Sequence, residues 1–395
     1  MSNSHADQEG PLARPEHALL LCCARTRLDP ATAARLKSLL GEKLDWDYLI
    51  KLARRHSLLQ LLYWQLNATA PDLVPPERLL ELKRRFGDNA AHNALMAAEL
   101  VGVLRLFERA RITALAYKGP ALAVSAYGNL SLRRFSDLDV LVPERDVLRA
   151  KELLIAEGFR AHPELDPARE AILIRAQHSL AFKKERGRLL FELHWRAAAS
   201  RFASSTGTED FLEGAETVVL NGAGVKCPAA EDLLPALCVH GAKHFWERLA
   251  WVCDVAELIR SHPSLDWGRV LRRAKEHGSE RMLFLGLRLA AELLGAEPPA
   301  EVWRLASADP VAGALAREVA ARDFDGCEYA PVGLLGGVRF NLRARPRRRE
   351  KLDYLRFIFA PTDGDLSHVK LPRRLSFAYY VIRPFRLLLK GHDSH

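Results

Sequence analysis

One stretch of the chain constrains its fold more than any other. Residues 113–142, TALAYKGPALAVSAYGNLSLRRFSDLDVLV, read as strand, tight turn, helix, polar loop and strand. An apolar run, Thr113 to Tyr117, ends in Lys118-Gly119. Residues suited to a helix follow from Pro120 to Tyr127. A polar loop, Gly128 to Arg134, then leads into Ser136-Asp137-Leu138-Asp139 and a second apolar run, Val140 to Val142. Successive side chains of a strand point to opposite faces. Asp137 and Asp139 therefore share a face, while Leu138 and Val140 turn towards a core. Two carboxylates so close repel, and one takes up a proton more readily unless a cation lies between them. Hard divalent cations such as Mg2+ favour carboxylate and phosphate oxygens, and a pair of ions about 3.5–4 Å apart suits phosphoryl-type transfer. The competing reading, two solvated aspartates at a strand end, arises often by chance. The Lys-Gly turn favours the metal site: a glycine there lets backbone N–H groups approach phosphate, a helix N-terminus adds favourable polarity, and Pro120 suits the first helical turn.

A third carboxylate is needed to hold two cations well. A hairpin is expected from His178 to Lys183 and from Leu189 to Trp195, with its turn at 185–188. In its second strand Phe191, Leu193 and Trp195 share one face, and Glu192 and His194 share the other. Glu192 is assigned as the third acidic residue. His194 either assists at the phosphate or hydrogen-bonds Glu192, with a structural histidine as the alternative. Ser136 caps a turn or touches phosphate. Arg133 and Arg134 precede the aspartates, and a guanidinium suits two-point phosphate recognition, which brings Arg134 into the candidate site.

The apolar-Lys-Gly turn, the Arg-x-x-Ser-Asp-x-Asp box at 133–139 and the Glu192-Leu193-His194-Trp195 strand together resemble an uncharacterised bacterial nucleotidyltransferase family of the polymerase-beta-like superfamily. The resemblance implies transfer of a nucleoside monophosphate from an NTP to a hydroxyl acceptor, with pyrophosphate leaving. It implies Asp137, Asp139 and Glu192 as catalytic residues holding two Mg2+ ions, Lys118 neutralising triphosphate charge, and Gly119 admitting the substrate. The superfamily's usual Gly-Ser pair is Lys118-Gly119 here, and some toxin-like members share that departure. The resembled family also carries a later helix rich in His, Trp and Asp. By that likeness Lys243, His244 and Asp254 are candidates for base, ribose or phosphate contacts, with a satisfied polar cluster between regions as the alternative. His240 and His244 are four apart and Trp251 is seven further on, so all three fall on one stripe of a continuous helix over 231–262. A zinc site is disfavoured, because the pair lacks an H-E-x-x-H pattern and a third ligand. The acceptor is a small molecule, a protein or RNA. A toxin-like tRNA-modifying transferase and a catalytically inactive nucleotide-binding scaffold are the alternatives.

The expected fold class is α+β: a small mixed sheet flanked by helical regions on both sides. The expected divisions are a disordered tail over 1–15, N-terminal helices over 16–110, a sheet core over 111–220, a helical domain closing over the nucleotide at 221–330, and a basic extension over 331–395. Asp29-Pro30 marks a helix start, and two helices are expected over 76–86 and 88–109. The chain has 395 residues, 49% hydrophobic and 27% charged, as ordinary globular domains have. No secretory leader pattern opens it, and its six cysteines form no C-x-x-C pair, so a reducing cytoplasm is expected. A net charge of +9 favours anionic partners. The basic run over 339–351 is either a solvated face or an anion patch. The basic-aromatic tail over 371–395 is read as packing on its own fold, with peripheral contact to the inner membrane as the secondary reading.

Overall fold

The computed structural model describes residues 14–184, 189–197, 207–324 and 332–362, together with 365, 366, 378, 379 and 383. The sequence expectations for the 185–188 turn and most of the C-terminal tail lie outside these residues.

Four short helices open the described chain: α1 (Pro15–Cys23), α2 (Pro30–Leu40), α3 (Trp46–Arg55) and α4 (Leu59–Thr69). Asp29 caps α2, its carboxylate accepting from the Thr32 N–H at 2.8 Å, the usual way to satisfy a first-turn donor. A single helix, α5 (Pro76–Arg109), then runs for 34 residues. The two helices expected here are thus one. Gly87 does not interrupt it, because a helical glycine costs only about 1 kcal/mol.

The mixed sheet follows. Its strands are β1 (Leu115–Tyr117), β2 (Asp137–Leu141), β3 (Arg160–Ala161), β4 (Ser179–Lys184) and β5 (Leu189–His194), in the order β1-β2-β5-β4-β3. β2 and β5 are parallel, and the other pairings are antiparallel. α6 (Gly119–Ser125) links β1 towards β2, α7 (Val147–Ala156) precedes β3, and α8 (Pro167–Ala176) precedes β4. The architecture is α+β, as expected.

After α9 (Thr208–Leu212) comes a hairpin that was not expected: β6 (Glu216–Leu220) and β7 (Ala223–Cys227), turning at Asn221-Gly222, where φ is +49° and +77°. The helices then resume with α10 (Ala230–Lys243), α11 (Leu249–Ser261), α12 (Trp267–Glu276), α13 (Glu280–Leu294), α14 (Ala300–Ala308), α15 (Pro310–Phe324), α16 (Leu334–Arg343) and α17 (Arg348–Ile358).

The two faces of the sheet have different partners. Ala116, Leu138, Val140, Phe191, Leu193 and Trp195 pack with α5 and α7 in one core. Leu115, Tyr117 and Leu141 join a larger core, in which the N-terminal helices α1 to α4 and the later helices α10, α11 and α13 pack together. Polar ties cross this larger core: the Leu249 N–H donates to His56 Nδ1 at 3.1 Å, and Thr26 donates to Glu257 at 2.5 Å.

The expected single helix over 231–262 is broken. α10 and α11 meet at a corner where Phe245 and Trp246 take φ of +55° and +54°. Trp246 is completely buried. A Cβ on Gly241 would lie 2.6 Å from its ring, and one on Gly286 would lie 3.1 Å from it. The two glycines make the slot that seats this ring, and burying an indole repays the strained backbone. The basic run over 339–351 is mostly at the surface, with Arg339, Arg347, Arg348 and Arg349 exposed, but three of its arginines are engaged by the fold. Arg345 is buried over the Tyr354 ring, Arg343 pairs with Glu318, and Arg347 pairs with Glu280.

Candidate active site

The face of the sheet that carries Leu115 and Leu141 ends in a polar cluster. In the register of β2 with β5, Asp137 lies opposite Leu190, Asp139 opposite Glu192 and Leu141 opposite His194. On the other side of β2, Asp139 lies opposite Tyr117. Residues opposite one another in a sheet share a face, so Asp137, Asp139, Glu192, His194 and Tyr117 all point the same way. Leu138 and Phe191, on the reverse face, are completely buried and anchor the strands beneath.

His194 ties the acids together. Its Nε2 lies 2.8 Å from Asp139 Oδ1 and 3.2 Å from Glu192 Oε2. Asp139, Glu192 and His194 each offer one ligand atom, all within 4.8 Å of one another. Burial opposes the charged imidazole, but the two carboxylates outweigh it and raise the His194 pKa. Burial would also raise Asp139, yet the His194 hydrogen bond and the charge of Lys118 hold it below the usual range. Glu192 is lowered chiefly by its bond to His194. Asp137 has no such partner. Burial, then the charges of Asp139 and Glu192, push it up to about 6. The cluster therefore carries more negative charge than its one imidazole compensates, which is the electrostatic condition a divalent cation relieves.

Lys118 stands at the end of β1 with φ +61° and ψ −136°. That region is nearly closed to residues with a side chain and stores about 1–3 kcal/mol where it occurs. Gly119 follows at φ +42°. Burial opposes the Lys118 charge, but Tyr117 and then the charges of Asp139, Glu192 and Asp137 outweigh it and raise the lysine's pKa. Its Nζ donates to His240 Nδ1 at 3.2 Å and lies 4.6 Å from the centre of the Tyr117 ring. Burial and the Lys118 charge keep His240 well below its ordinary value, so it accepts as a neutral ring.

The remaining candidates fall in two groups. Arg134 and Ser136 are exposed on the loop leading into β2. Arg134 lines a small cleft with Ser57, Arg248, Trp251 and Asp254. Lys243 and His244 end α10, with His244 lowered to about 4 by burial and by Lys243. The corner after α10 returns Trp251 to the two histidines, its ring 5.5 Å from His240 and 5.2 Å from His244. Their meeting arises from a reversal of the chain rather than from one helical stripe. Asp254 is buried and engaged: it takes Arg133 Nε and Nη2 at 2.8 and 2.9 Å and the Tyr127 hydroxyl at 2.7 Å. Tyr117, Tyr127, Arg133, His240 and Trp251 of this neighbourhood were not among the candidates. Tyr117 and Tyr127 carry no spacing signal. His240 was visible as the i,i+4 partner of His244.

The sequence model of a family described as uncharacterised nucleotidyltransferases matches residues 42–295. The chain belongs to this family. The match covers more than half of the chain and includes β1 to β7 and α10 to α13. Every member of the acidic cluster lies inside it, as do Lys118 and Asp254. No curated protein matches the chain.

Proposed function

We propose that this nucleotidyltransferase is of the polymerase-beta-like type, moving a nucleoside monophosphate from an NTP to a hydroxyl acceptor with release of pyrophosphate. The convergence of Asp139, Glu192 and His194 beside Asp137 and the Lys118-Gly119 turn is the observation that carries the reading. The donor set fits a divalent cation. Asp139 and Glu192 would hold it, Asp137 would add a third carboxylate from the same face, and Mg2+ is the choice that oxygen ligands favour. When bound, such an ion draws charge from the triphosphate and makes the acceptor hydroxyl more acidic.

The chain's own groups supply the rest. Lys118 places a positive charge beside the acids, where the triphosphate brings negative charge, and electrostatic stabilisation dominates this kind of transfer. Gly119 leaves its backbone approachable. Glu192, the most exposed of the Asp139–Glu192–His194 cluster, is the group able to orient an incoming hydroxyl. The test is pyrophosphate release from each NTP with Mg2+ and total RNA, small alcohols or protein as acceptor. Wild-type turnover that disappears in the Asp137→Ala, Asp139→Ala double variant supports an enzyme. Tight NTP binding without transfer to any acceptor sinks the enzymatic reading in favour of a nucleotide-binding scaffold. Labelled RNA among the products identifies the acceptor class.

A further inference from the structure

The transferase reading needs Lys118 and the aspartate loop held still. One face of α11 reaches towards both. Trp251 and Asp254 are three apart on that helix, so they project side by side.

Asp254 reaches the aspartate loop. Its two oxygens take Nε and Nη2 of Arg133 in a fork, at 2.8 and 2.9 Å. This edge of the guanidinium would grip a phosphate in the same way; here it is committed to a carboxylate that is only 4% exposed. The Tyr127 hydroxyl, just beyond α6, donates to the same Asp254 oxygen. From the opposite side, Asn93 of α5 donates to the carbonyl oxygens of Leu130 and Arg133 at 2.7 and 2.8 Å. The loop is therefore pinned four residues before Asp137. Trp251 reaches the lysine. Its ring lies edge-on to His240, and His240 Nδ1 accepts from the Lys118 ammonium at 3.2 Å.

We propose that α11 is the positioning element of the active site, Asp254 fixing the aspartate loop through Arg133 and Tyr127, and Trp251 fixing Lys118 through His240. Asp254 is then a residue that never touches nucleotide. It also has an electrostatic duty: the Arg133 charge acts on both Asp137 and Asp139, and without Asp254 that charge opposes a cation at the carboxylates. This inference rests on the transferase reading, and its test separates the two.

Asp254→Asn keeps the shape and removes the charge. It is expected to lower kcat about 100-fold, the usual consequence of loosening reacting groups by about 1 Å, with KM for the NTP within about threefold of wild type. Tyr127→Phe removes one hydrogen bond and is expected to lower kcat about threefold to tenfold. His240→Asn places an amide oxygen near the position of Nδ1 and retains activity that His240→Leu loses. Unchanged kcat in folded Asp254→Asn and Tyr127→Phe overturns the loop half; equal loss in His240→Asn and His240→Leu overturns the lysine half. A wild type inactive with every NTP counts against the transferase reading instead. The loop half is then read from Mn2+ titrated calorimetrically into wild type and Asp254→Asn without nucleotide. Weaker binding by the variant supports it, and equal binding overturns it. Should Asp254→Asn fail to fold, Tyr127→Phe is read by the same two measurements.

Discussion

Glu192 stands directly across from Asp139 in the parallel pairing of β2 with β5, and the Nε2 of His194 touches both carboxylates. Two residues distant along the chain thus become neighbours on one sheet face, with a third residue already bridging them. Replacing either acid by its amide, Asp139→Asn or Glu192→Gln, is expected to lower transfer at least about 100-fold, because charge stabilisation in such sites is typically worth that much. Pyrophosphate release at saturating NTP checks it. Loss of Mn2+ binding in calorimetry should accompany the loss of turnover.

Asp137 should behave differently in stability. It is the carboxylate that burial, and then the charges of Asp139 and Glu192, push up to about 6, so its charge is unfavourable in the metal-free fold. Asp137→Asn is expected to raise metal-free stability at neutral pH by about 1 kcal/mol, while abolishing turnover. Urea denaturation in chelator-treated buffer measures the first effect. A destabilised variant would contradict it.

Lys118 permits a backbone test. At its φ of +61° glycine is relaxed and alanine strained, so the usual penalty of about 0.5–1 kcal/mol for glycine against alanine should vanish or reverse. Lys118→Gly is expected to be at least as stable as Lys118→Ala, and both are expected to lose activity. Thermal unfolding of the pair decides it. Any appreciable activity left in the glycine variant would remove Lys118 from the site.

His56 supplies the pH dependence. It is completely buried, and burial lowers its pKa to about 3. Its folded pKa lies below its unfolded one, so between about 6.5 and 3 the unfolded chain binds a proton that the folded chain refuses. The associated stability is present above pH 6.5 and falls with the pH, by at most about 1.4 kcal/mol per pH unit. His56→Asn leaves an oxygen to accept the Leu249 N–H and lacks the titrating ring. Its stability is expected to fall less steeply than that of wild type when urea midpoints are compared at pH 7.5, 6 and 5.

The slot for Trp246 predicts a packing failure. Gly241→Ala sets a methyl 2.6 Å from the indole, and Gly286→Ala sets one 2.5 Å from Cys238 Sγ. Each is expected to cost about 1–3 kcal/mol, seen as a lowered melting temperature. Activity should fall too, because the corner brings Trp251 back to His240.

Much of this site was legible because it is written in short-range code. The period of two places Asp137 with Asp139 and Glu192 with His194, and the Asp29-Pro30 cap announces α2 as the structure has it. The β6–β7 hairpin was legible too, since Asn221-Gly222 after the run Thr217-Val218-Val219 is a strong turn signal. The α10–α11 corner was not legible. Its left-handed residues are Phe245 and Trp246, neither of which marks a turn, and their conformation is imposed by a slot between glycines 45 positions apart. The role of Asp254 was hidden for the same reason. An acid on an apolar helix reads alike whether it meets ligand or arginine, and only the folded chain brings Arg133 to Asp254.

Because Asp139 and Glu192 sit directly opposite each other on neighbouring hydrogen-bonded strands, the backbone separation of the pair cannot be altered without tearing the sheet. Any event that turns this protein on or off must therefore change what is delivered to the pair: the approach of Lys118, the loop before β2, or the molecules that arrive. The anvil is fixed, and control belongs to the parts around it.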